Sequence, residues 1–337
     1  MWLARAKDQL GRRLGERAIP TTPAGYADLL AWAEGLGVLE AFGLEGTSSY
    51  GAGLARHLRR EGQVVVEVIR PNRQARRRNG KSDPADADAA ASAVLSGDAS
   101  GPPKAGEGTV EMIRALRVAR STALKARTQA ANAMQALVVT APDQLRQSLR
   151  GLSKIELVRT CARARPGKLA GTTAATKAAL RSLAVRHEAL EAEVKALDGE
   201  IGPLIATIAP ELIAVFGVGP DTAGALLVAA GDNPDRLRSD AAFSMLCGSS
   251  PVEASSGKVT RHRVNRGGDR QANAALYRIV LVRLRHHEPT QDYMRHRTAE
   301  GKSKPEIIRC LKRYVAREIY AVLCIMAVRA GSADAAA

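Results

Sequence analysis

Hydrophobic and polar positions near the start of the chain form short runs separated by turn signals. Residues 14–19, 38–44 and 64–69 are short apolar or β-branched runs, and this pattern predicts strands. Residues 50–60 have the apolar spacing of a helix. Because strand and helix signals alternate, we predict an α/β domain over residues 1–100.

Longer helical patterns follow a Gly-, Pro- and Ala-rich segment at residues 98–108, which predicts a linker. The two helices are predicted at residues 110–139 and 174–197. In the second helix, one heptad position is occupied by Leu183, Leu190, Leu197 and Leu204. Another heptad position is occupied by Leu180, His187, Val194 and Ile201. This spacing predicts an α-helical coiled coil in a middle domain of residues 101–208, and an ordinary amphipathic helix is the alternative. We expect Gly199, Gly202 and Pro203 to interrupt the helix.

The pattern changes again at about residue 209, where glycine turns and dense arginine begin. It predicts a mostly helical third domain over residues 209–330 and a disordered tail at residues 331–337. Residues 216–223 look like the turn of a helix-hairpin-helix element, in which Gly217 and Gly219 would let backbone N–H groups face a phosphate. A tight turn between two helices is the alternative interpretation.

Charge narrows the choice of partner. Fifty Lys and Arg against 34 Asp and Glu leave a net charge of +16, which favours a polyanion, and nucleic acid is the first expectation. No apolar run is long enough to span a membrane, so we expect a soluble intracellular protein without a membrane partner. Aromatic residues make up only 3%, which argues against base-stacking platforms. The four cysteines are far apart, which indicates neither a zinc site nor a disulfide framework.

Basic residues that would contact the phosphate backbone occur in two clusters. They are Arg73, Arg76, Arg77, Arg78 and Lys81 in the first cluster, and Lys258, Arg261, Arg263, Arg266 and Arg270 in the second. Such contacts position a nucleic acid but do not read its sequence.

Acidic residues directly after the first basic cluster form a candidate metal site. Ser82 or Asp83 can cap a helix whose first turn takes Pro84, and on that helix Asp83 and Asp86 lie about 60° apart. Glu45, at the end of a predicted strand, is placed to join them around Mg²⁺, which prefers hard oxygen ligands. The alternative is a well-capped helix start with a solvated glutamate nearby.

A serine-rich turn precedes the second basic cluster. Ser255 and Ser256 stand before Gly257, and at least five cations follow within 15 residues. A serine there could act as a nucleophile on a phosphate whose charge the cations neutralise. A phosphate-contact loop without catalysis is the alternative.

Taken together, these motifs resemble a known family, the DEDD-type transposases of the IS-one-ten insertion sequences, which are related to the Piv-type invertases. The resemblance runs from about Thr22 to Ala327. It rests on the Glu-Gly-Thr-x-Ser-Tyr-Gly stretch at Glu45, the Arg-Pro-x-Arg segment at residues 70–73, the Lys-Ser-Asp-x-x-Asp-Ala segment at residues 81–87, and Ser255-Ser256-Gly257 before Asn265-Arg266-Gly267.

The resemblance implies a RuvC-like, RNase H-fold N-terminal domain, a coiled-coil middle and a C-terminal transposase domain. It implies that four acids bind Mg²⁺, with Glu45, Asp83 and Asp86 as three of them, and that Ser256, or alternatively Ser255, attacks DNA. Family members use a structured non-coding RNA to choose donor and target DNA, and they assemble as oligomers, here expected to be a dimer or tetramer. A bacterial cytoplasmic, nucleoid-associated protein is expected.

One departure from the family pattern concerns the first residues. The family opens with a strand that carries the first metal-binding aspartate, whereas residues 1–8 contain no such strand, and Asp8 is expected in a turn. The resemblance therefore implies a RuvC-like domain that lacks its first strand, either because the start of the gene is misassigned or because this copy is truncated and inactive. A RuvC-like structure-specific nuclease and a non-catalytic nucleic-acid-binding protein are the alternative functions.

Overall fold

A computed structural model of the protein describes residues 1–68, 82–99, 101–233, 236–257 and 262–334. The chain divides into two compact units, residues 1–111 with 226–337, and residues 112–225. Across the described ranges the fold is mostly helical, with short strands concentrated near the N-terminus. No described helix is both long and apolar enough to cross a bilayer. The predicted domain limits at residues 100, 208 and 330 stay predictions.

The first unit begins with a β-hairpin. Strand β1 (Trp2–Lys7) pairs antiparallel with β2 (Arg13–Ile19). Asp8 accepts backbone hydrogen bonds from Leu10 at 3.0 Å and Arg12 at 2.8 Å, which confirms its prediction as a turn residue. The hydrophobic pattern did not predict β1, and this strand carries no aspartate.

A second, parallel pair of strands lies in the same unit. Strand β3 (Phe42–Glu45) pairs with β4 (Val65–Val68), with Phe42 opposite Val65. Strand β3 is shorter than the apolar run of residues 38–44 that predicted it. Helices α1 (Pro23–Glu34) and α2 (Ala52–Arg60) pack on these strands, and Leu29, Leu44 and Leu54 share one core with Ile19.

Helix α3 (Asp83–Leu95) starts as the cap signal predicts. Ser82 is the N-cap, because its hydroxyl accepts a hydrogen bond from the Ala85 N–H at 3.4 Å, and proline occupies the first turn. The helix lies very close to β3. A Cβ added to Gly43 would lie 2.7 Å from Val94 Cγ2 and 3.0 Å from the Ala90 carbonyl oxygen, so any side chain there would force the two elements apart.

The second unit consists of helices. They are α4 (Thr109–Val139), which begins three residues before the unit, α5 (Asp143–Leu149), α6 (Lys154–Ala162), α7 (Thr172–Ile208), α8 (Pro210–Ala214) and the start of α9 (Pro220–Ala230). Helix α4 matches its prediction within one residue. The expected interruption of α7 is wrong, because the helix continues through Gly199, Gly202 and Pro203. Ile201 and Ile205 are fully buried beyond the expected break, and this apolar stripe outweighs the poor helix propensity.

The rest of the first unit is a helical layer interrupted by a small hairpin. Its helices are α10 (Asp240–Leu246), α11 (Arg270–His286), α12 (Glu288–Ala299) and α13 (Lys304–Asp334), and strands β5 (Val252–Glu253) and β6 (His262–Arg263) form the hairpin. Helix α13 packs on α10, α11 and α12. Phe243, Ile279 and Ile319 are fully buried there.

Some cations of α13 have structural partners. Three of them are Lys312, Arg313 and Arg317. Arg313 and Arg317 bind the carboxylate of Asp240 at 3.0 and 3.1 Å, and Lys312 donates to the side chain of Asn273 at 2.9 Å. The two arginines hold the pKa of Asp240 below its usual value. These cations therefore tie α13 to α10 and α11.

Candidate active site

The three predicted metal-binding acids share one cavity in the first unit. Glu45 is the last residue of β3, Asp83 is the first residue of α3, and Asp86 lies one turn further along that helix. All three line a cavity of about 1300 Å³. Strand β1 and helix α1 provide further walls of this cavity, which we call the acid cavity. The fold thus brings together residues that are about forty positions apart in the sequence.

Their chemistry suits a divalent cation, since carboxylate oxygens are the ligands that Mg²⁺ prefers. Their arrangement is incomplete as a metal site. Within the ranges that the structure describes, no group of three or more His, Cys, Asp or Glu residues could hold a metal ion. The three acids therefore fit the donor chemistry, and they do not form a closed ligand set by themselves.

Asp88, the third carboxylate of α3, has a different role. Its side chain binds Lys7 Nζ at 2.9 Å and lies 3.7 Å from the Arg5 guanidinium, and it is absent from the lining of the acid cavity. Lys7 also donates to Ser92 at 2.8 Å. Asp88 therefore lies outside the acid cavity and fastens α3 to β1.

The candidate nucleophiles lie on the small hairpin. Ser255 and Ser256 are exposed, and Gly257 follows with φ +57°, a left-handed conformation that favours glycine. Neither serine lines the acid cavity. The structure therefore does not bring Ser256 together with Glu45, Asp83 and Asp86.

The loop after the hairpin is fastened to the helical layer. A Cβ on Gly268 would clash with the backbone of Gly248, so the two chain segments touch through their main chains. Asn265 accepts the Gly267 N–H at 2.9 Å, and Asn273 donates to the carbonyl oxygens of Cys247 and Gly248 at 2.8 and 3.0 Å. The Asn-Arg-Gly segment thus has a structural role, which the sequence did not show because its contacts are distant in the chain.

The predicted phosphate-binding cations divide into two groups. Arg263, Arg266 and Arg270 are exposed around the hairpin, where a phosphate backbone can reach them. The others lie outside the described residues: Arg73, Arg76, Arg77, Arg78, Lys81, Lys258 and Arg261.

The hairpin-like turn at residues 216–223 joins α8 to α9, as predicted, and Gly217 has φ +82°. One of its N–H groups is already bonded, because Gly219 donates to the Thr222 hydroxyl at 3.0 Å. Asp221 in the first turn of α9 binds Arg117 at 2.8 Å. In this conformation the Gly219 N–H is therefore occupied by Thr222, and the phosphate-binding roles of Gly217 and Gly219 stay predictions.

A buried polar cluster near the acid cavity was missed. Glu67 in β4 accepts the Thr47 hydroxyl at 2.5 Å and pairs with Arg236 at 3.3 Å. Thr47 is two residues beyond Glu45, and Arg236 also donates to the Ala230 carbonyl oxygen at 2.9 Å. An acid inside a valine-rich strand is the signal that could have revealed the cluster, since a buried carboxylate requires partners. It connects the Glu45 loop to residues after α9.

Lys104 is a second buried cation in this region. Its ammonium group donates to the Val228 carbonyl oxygen at 2.6 Å. Burial, with the nearby Arg236, lowers the pKa of Lys104. Asn233 adds two hydrogen bonds to the same segment, accepting the Ala105 N–H at 2.9 Å and donating to the Pro103 carbonyl oxygen at 3.0 Å. These contacts fix the predicted linker against the helical layer of the same unit.

Comparison with known protein families finds two matches. Residues 4–141 match a model of a transposase domain of the DEDD type from IS110 elements, and residues 209–295 match the model described as the transposase IS116/IS110/IS902 family. The first match contains the three acids of the cavity, and the second contains both serines. No curated protein matches the chain.

Proposed function

Because this chain belongs to the IS116/IS110/IS902 family of insertion-sequence transposases, we propose that it cleaves and exchanges DNA strands through the hydroxyl of Ser256. A DEDD-type domain implies an RNase H-like fold, and such transposases typically use a divalent metal. In our proposal Glu45, Asp83 and Asp86 hold Mg²⁺. The observation that carries the proposal is that these acids gather on one cavity within the matched DEDD region.

The proposed step is a transesterification. The oxygen of Ser256 forms a bond to a DNA phosphorus, its proton leaves to a base, and the bond from phosphorus to one sugar oxygen breaks. That sugar oxygen takes up a proton and leaves as a hydroxyl group. The broken end stays attached to the protein, so the energy of the phosphodiester is kept for joining to a new strand. Bound Mg²⁺ would stabilise negative charge on the phosphate oxygens.

The exposed arginines support the DNA part of the proposal. Arg263, Arg266 and Arg270 surround the serine hairpin and can neutralise phosphate charge next to the nucleophile. Because Ser256 lies outside the acid cavity, we propose that DNA, a structured RNA or a second subunit of a dimer or tetramer brings the serine and the acids together. A net charge of +16 is consistent with two nucleic-acid partners.

Trapping of a covalent protein–DNA adduct tests the proposal. The wild-type protein, assembled with Mg²⁺, element-end DNA and candidate guide RNA transcribed from the element, should yield an adduct that survives denaturation. Ser256→Ala should abolish the adduct, and Ser255→Ala, the matched control on the same exposed turn, should keep it. The reverse result would assign the nucleophile to Ser255.

A second candidate function follows from the separation of the three acids from the two serines. Since the acids share a cavity without either serine, a RuvC-like nuclease that activates water is also compatible with the geometry. Strand cleavage without any adduct, unchanged in the double Ser255→Ala, Ser256→Ala variant, would favour the nuclease. DNA binding without cleavage, under conditions in which both the DNA and RNA are bound, would favour a non-catalytic binder.

A further inference from the structure

The loop that follows α9 contacts two other segments of the first unit. Its described residues are 231–233 and 236, which we call the α9 loop. Asn233 bonds to the backbone of the segment before α4, and Arg236 forms an ion pair at 3.3 Å with Glu67 of β4. One short loop therefore holds both the segment before α4 and the strand that pairs with β3.

Arg236 lies inside the protein, away from the exposed cations. Its side chain is 7% exposed, and its guanidinium donates to the Ala230 carbonyl oxygen at 2.9 Å and to the Ala229 carbonyl oxygen at 3.4 Å. Two backbone acceptors at the end of α9 and one carboxylate therefore orient the planar guanidinium. A cation that is enclosed in this way serves its protein partners, and the charged one among them is Glu67.

Glu67 connects Arg236 to the loop that follows Glu45. One oxygen of its carboxylate accepts the Thr47 hydroxyl at 2.5 Å, and the other pairs with Arg236. The backbone N–H of Glu67 donates to the Gly101 carbonyl oxygen at 2.8 Å. Thr47 is buried and the Glu67 side chain is mostly so. Both carboxylate oxygens are therefore occupied, and each one holds a different loop.

The loop after Glu45 is a tight turn that includes Thr47. The Gly46 carbonyl oxygen accepts the N–H groups of Ser49 at 2.8 Å and Gly51 at 3.0 Å. A Cβ on Gly51 would lie 2.6 Å from the Glu45 carbonyl oxygen, so the turn folds back against Glu45 itself. Because the turn is closed by these contacts, a shift of Thr47 is passed on to the main chain at Glu45.

Glu45 and Glu67 lie on opposite faces of the two paired strands. Leu44 is directly opposite Glu67, and successive side chains of a strand alternate between its faces. Glu45 therefore shares the face of Gly43, which packs against α3, the helix of the other two acids. The carboxylate of Glu45 lines the acid cavity, while Thr47 and Glu67 hold its chain from the other face.

We propose that Arg236 is a positioning residue for Glu45, which it holds in the acid cavity through Glu67 and Thr47. This inference rests on the proposed role of Glu45 as a ligand of a divalent cation. Arg236, Glu67 and Thr47 are all absent from the lining of the cavity, so their effect on a bound cation is indirect. Residues that orient metal ligands typically contribute about 10–100-fold to metal affinity.

Terbium luminescence measures cation binding in the acid cavity without DNA or RNA. Tb³⁺ is a hard cation that takes oxygen ligands, as Mg²⁺ does, and it emits when a nearby excited tryptophan transfers energy to it. Trp2 and Trp32, the only two tryptophans of the chain, both line the cavity. Titration of the full chain should give a saturable emission that Mg²⁺ competes away and that Asp86→Asn weakens.

Substitutions at Thr47 and Arg236 test the connection to Glu45. Thr47→Val keeps the shape of the side chain without its hydroxyl and should weaken Tb³⁺ binding roughly tenfold, whereas Thr47→Ser keeps the hydroxyl and should bind as the wild type does. Arg236→Met should weaken binding by a similar factor, and Arg236→Lys by less. Because both residues act through Glu67, the double variant Thr47→Val, Arg236→Met should lose little more than the larger single loss.

Arg283→Met is the matched control that separates positioning from a loss of stability. The Arg283 side chain is 10% exposed, close to the value for Arg236, and pairs with Glu318 at 2.7 and 3.1 Å within the helical layer. This variant should lower the melting temperature and leave Tb³⁺ binding unchanged. A loss of binding as large as that of Arg236→Met would overturn the inference, since instability alone would then explain both.

The outcomes distinguish this inference from the proposed function. If Asp86→Asn weakens Tb³⁺ binding while Thr47→Val and Arg236→Met bind as the wild type does, the inference is overturned and the metal role of the acids stands. If the wild type binds no Tb³⁺, or Asp86→Asn binds it equally well, the metal role is wrong and the inference falls with it. A failed adduct experiment beside the expected Tb³⁺ series would concern Ser256 and leave the positioning role of Arg236 in place.

Discussion

The acids and the serines occupy two different kinds of structure within one unit. Glu45, Asp83 and Asp86 are held by a strand end and a capped helix start that meet on a cavity, whereas Ser255 and Ser256 lie exposed on a two-stranded hairpin. The acids are positioned by packing before any partner binds. The serines lie on the hairpin outside that cavity, so the proposed serine chemistry requires a nucleic acid or another subunit to bring them to the acids.

Substitution of Asp86 should have the largest effect on the difference between the acids and the serines. In the proposed site Asp86→Asn should reduce strand cleavage on the order of 10²–10³-fold, because it removes a carboxylate ligand of the Mg²⁺ that would stabilise the reacting phosphate. The matched control is Asp88→Asn on the same helix, outside the cavity lining. Cleavage assays at equal protein concentration check this, and a control that loses as much activity would contradict the separate roles of the two aspartates.

Arg236 tests the buried connection to the Glu45 loop. Arg236→Met leaves the partly buried Glu67 without its cation, and we expect a loss of about 1–3 kcal/mol in the free energy of unfolding. Arg236→Lys should lose less, since it keeps the charge but not the guanidinium fork. Urea unfolding of the wild-type protein and the two variants measures these losses. Equal stability of Arg236→Met and the wild-type protein would show that the pair of Glu67 and Arg236 has no structural role.

Two glycines test how firmly each region is packed. Gly268→Ala forces a methyl group into the backbone of Gly248, and Gly43→Ala forces one against Val94 and Ala90, so each should lower stability by about 1–3 kcal/mol. Gly199→Ala is the control, because nothing lies within 4 Å of its added Cβ on α7, and it should raise stability by about 0.5–1 kcal/mol. Denaturant titration gives the ranking.

The prediction with the smallest expected effect concerns Cys247, a thiol that we expect not to react in the folded protein. Burial raises the pKa of this thiol to about 12, so it stays protonated at pH 8 and should not react with iodoacetamide in the folded protein. In the unfolded protein this thiol ionises from about pH 9. Its burial therefore contributes stability that is fully present below pH 9 and is lost as the pH rises toward 12. Exposed Cys324 should react first. Peptide mass mapping distinguishes the labelling of Cys247 from that of Cys324. If Gly268→Ala loosens the loop at Gly248, this substitution should speed the labelling of Cys247.

Local signals in the sequence predicted the parts of the fold that depend on neighbours in the chain. The Ser82 cap, the turn at Asp8 and the helix of residues 110–139 are examples, since propensity and capping act within a few residues. Strand β1 was missed because its Arg and Lys residues hide the alternation; Arg5 and Lys7 bind Asp88 instead of facing solvent.

The candidate site was predictable only as a set of residue types. The sequence placed acids at a strand end and a helix start, but it could not show that they share a cavity, because this depends on α3 packing at Gly43. It also missed Glu67, Thr47 and Arg236, whose contacts span 20 and 169 positions. Distant pairs of this kind leave no local pattern.

The pairing of Glu67 with Arg236 has an evolutionary consequence. Position 67 lies in the region matched by one transposase model and position 236 in the region matched by the other. A substitution at either position leaves its partner's partly buried charge without its ion pair, so the two positions should change together among related proteins. Exchange of one matched region between distant relatives should fail where this pair is mismatched, and restoring the partner charge should rescue the hybrid.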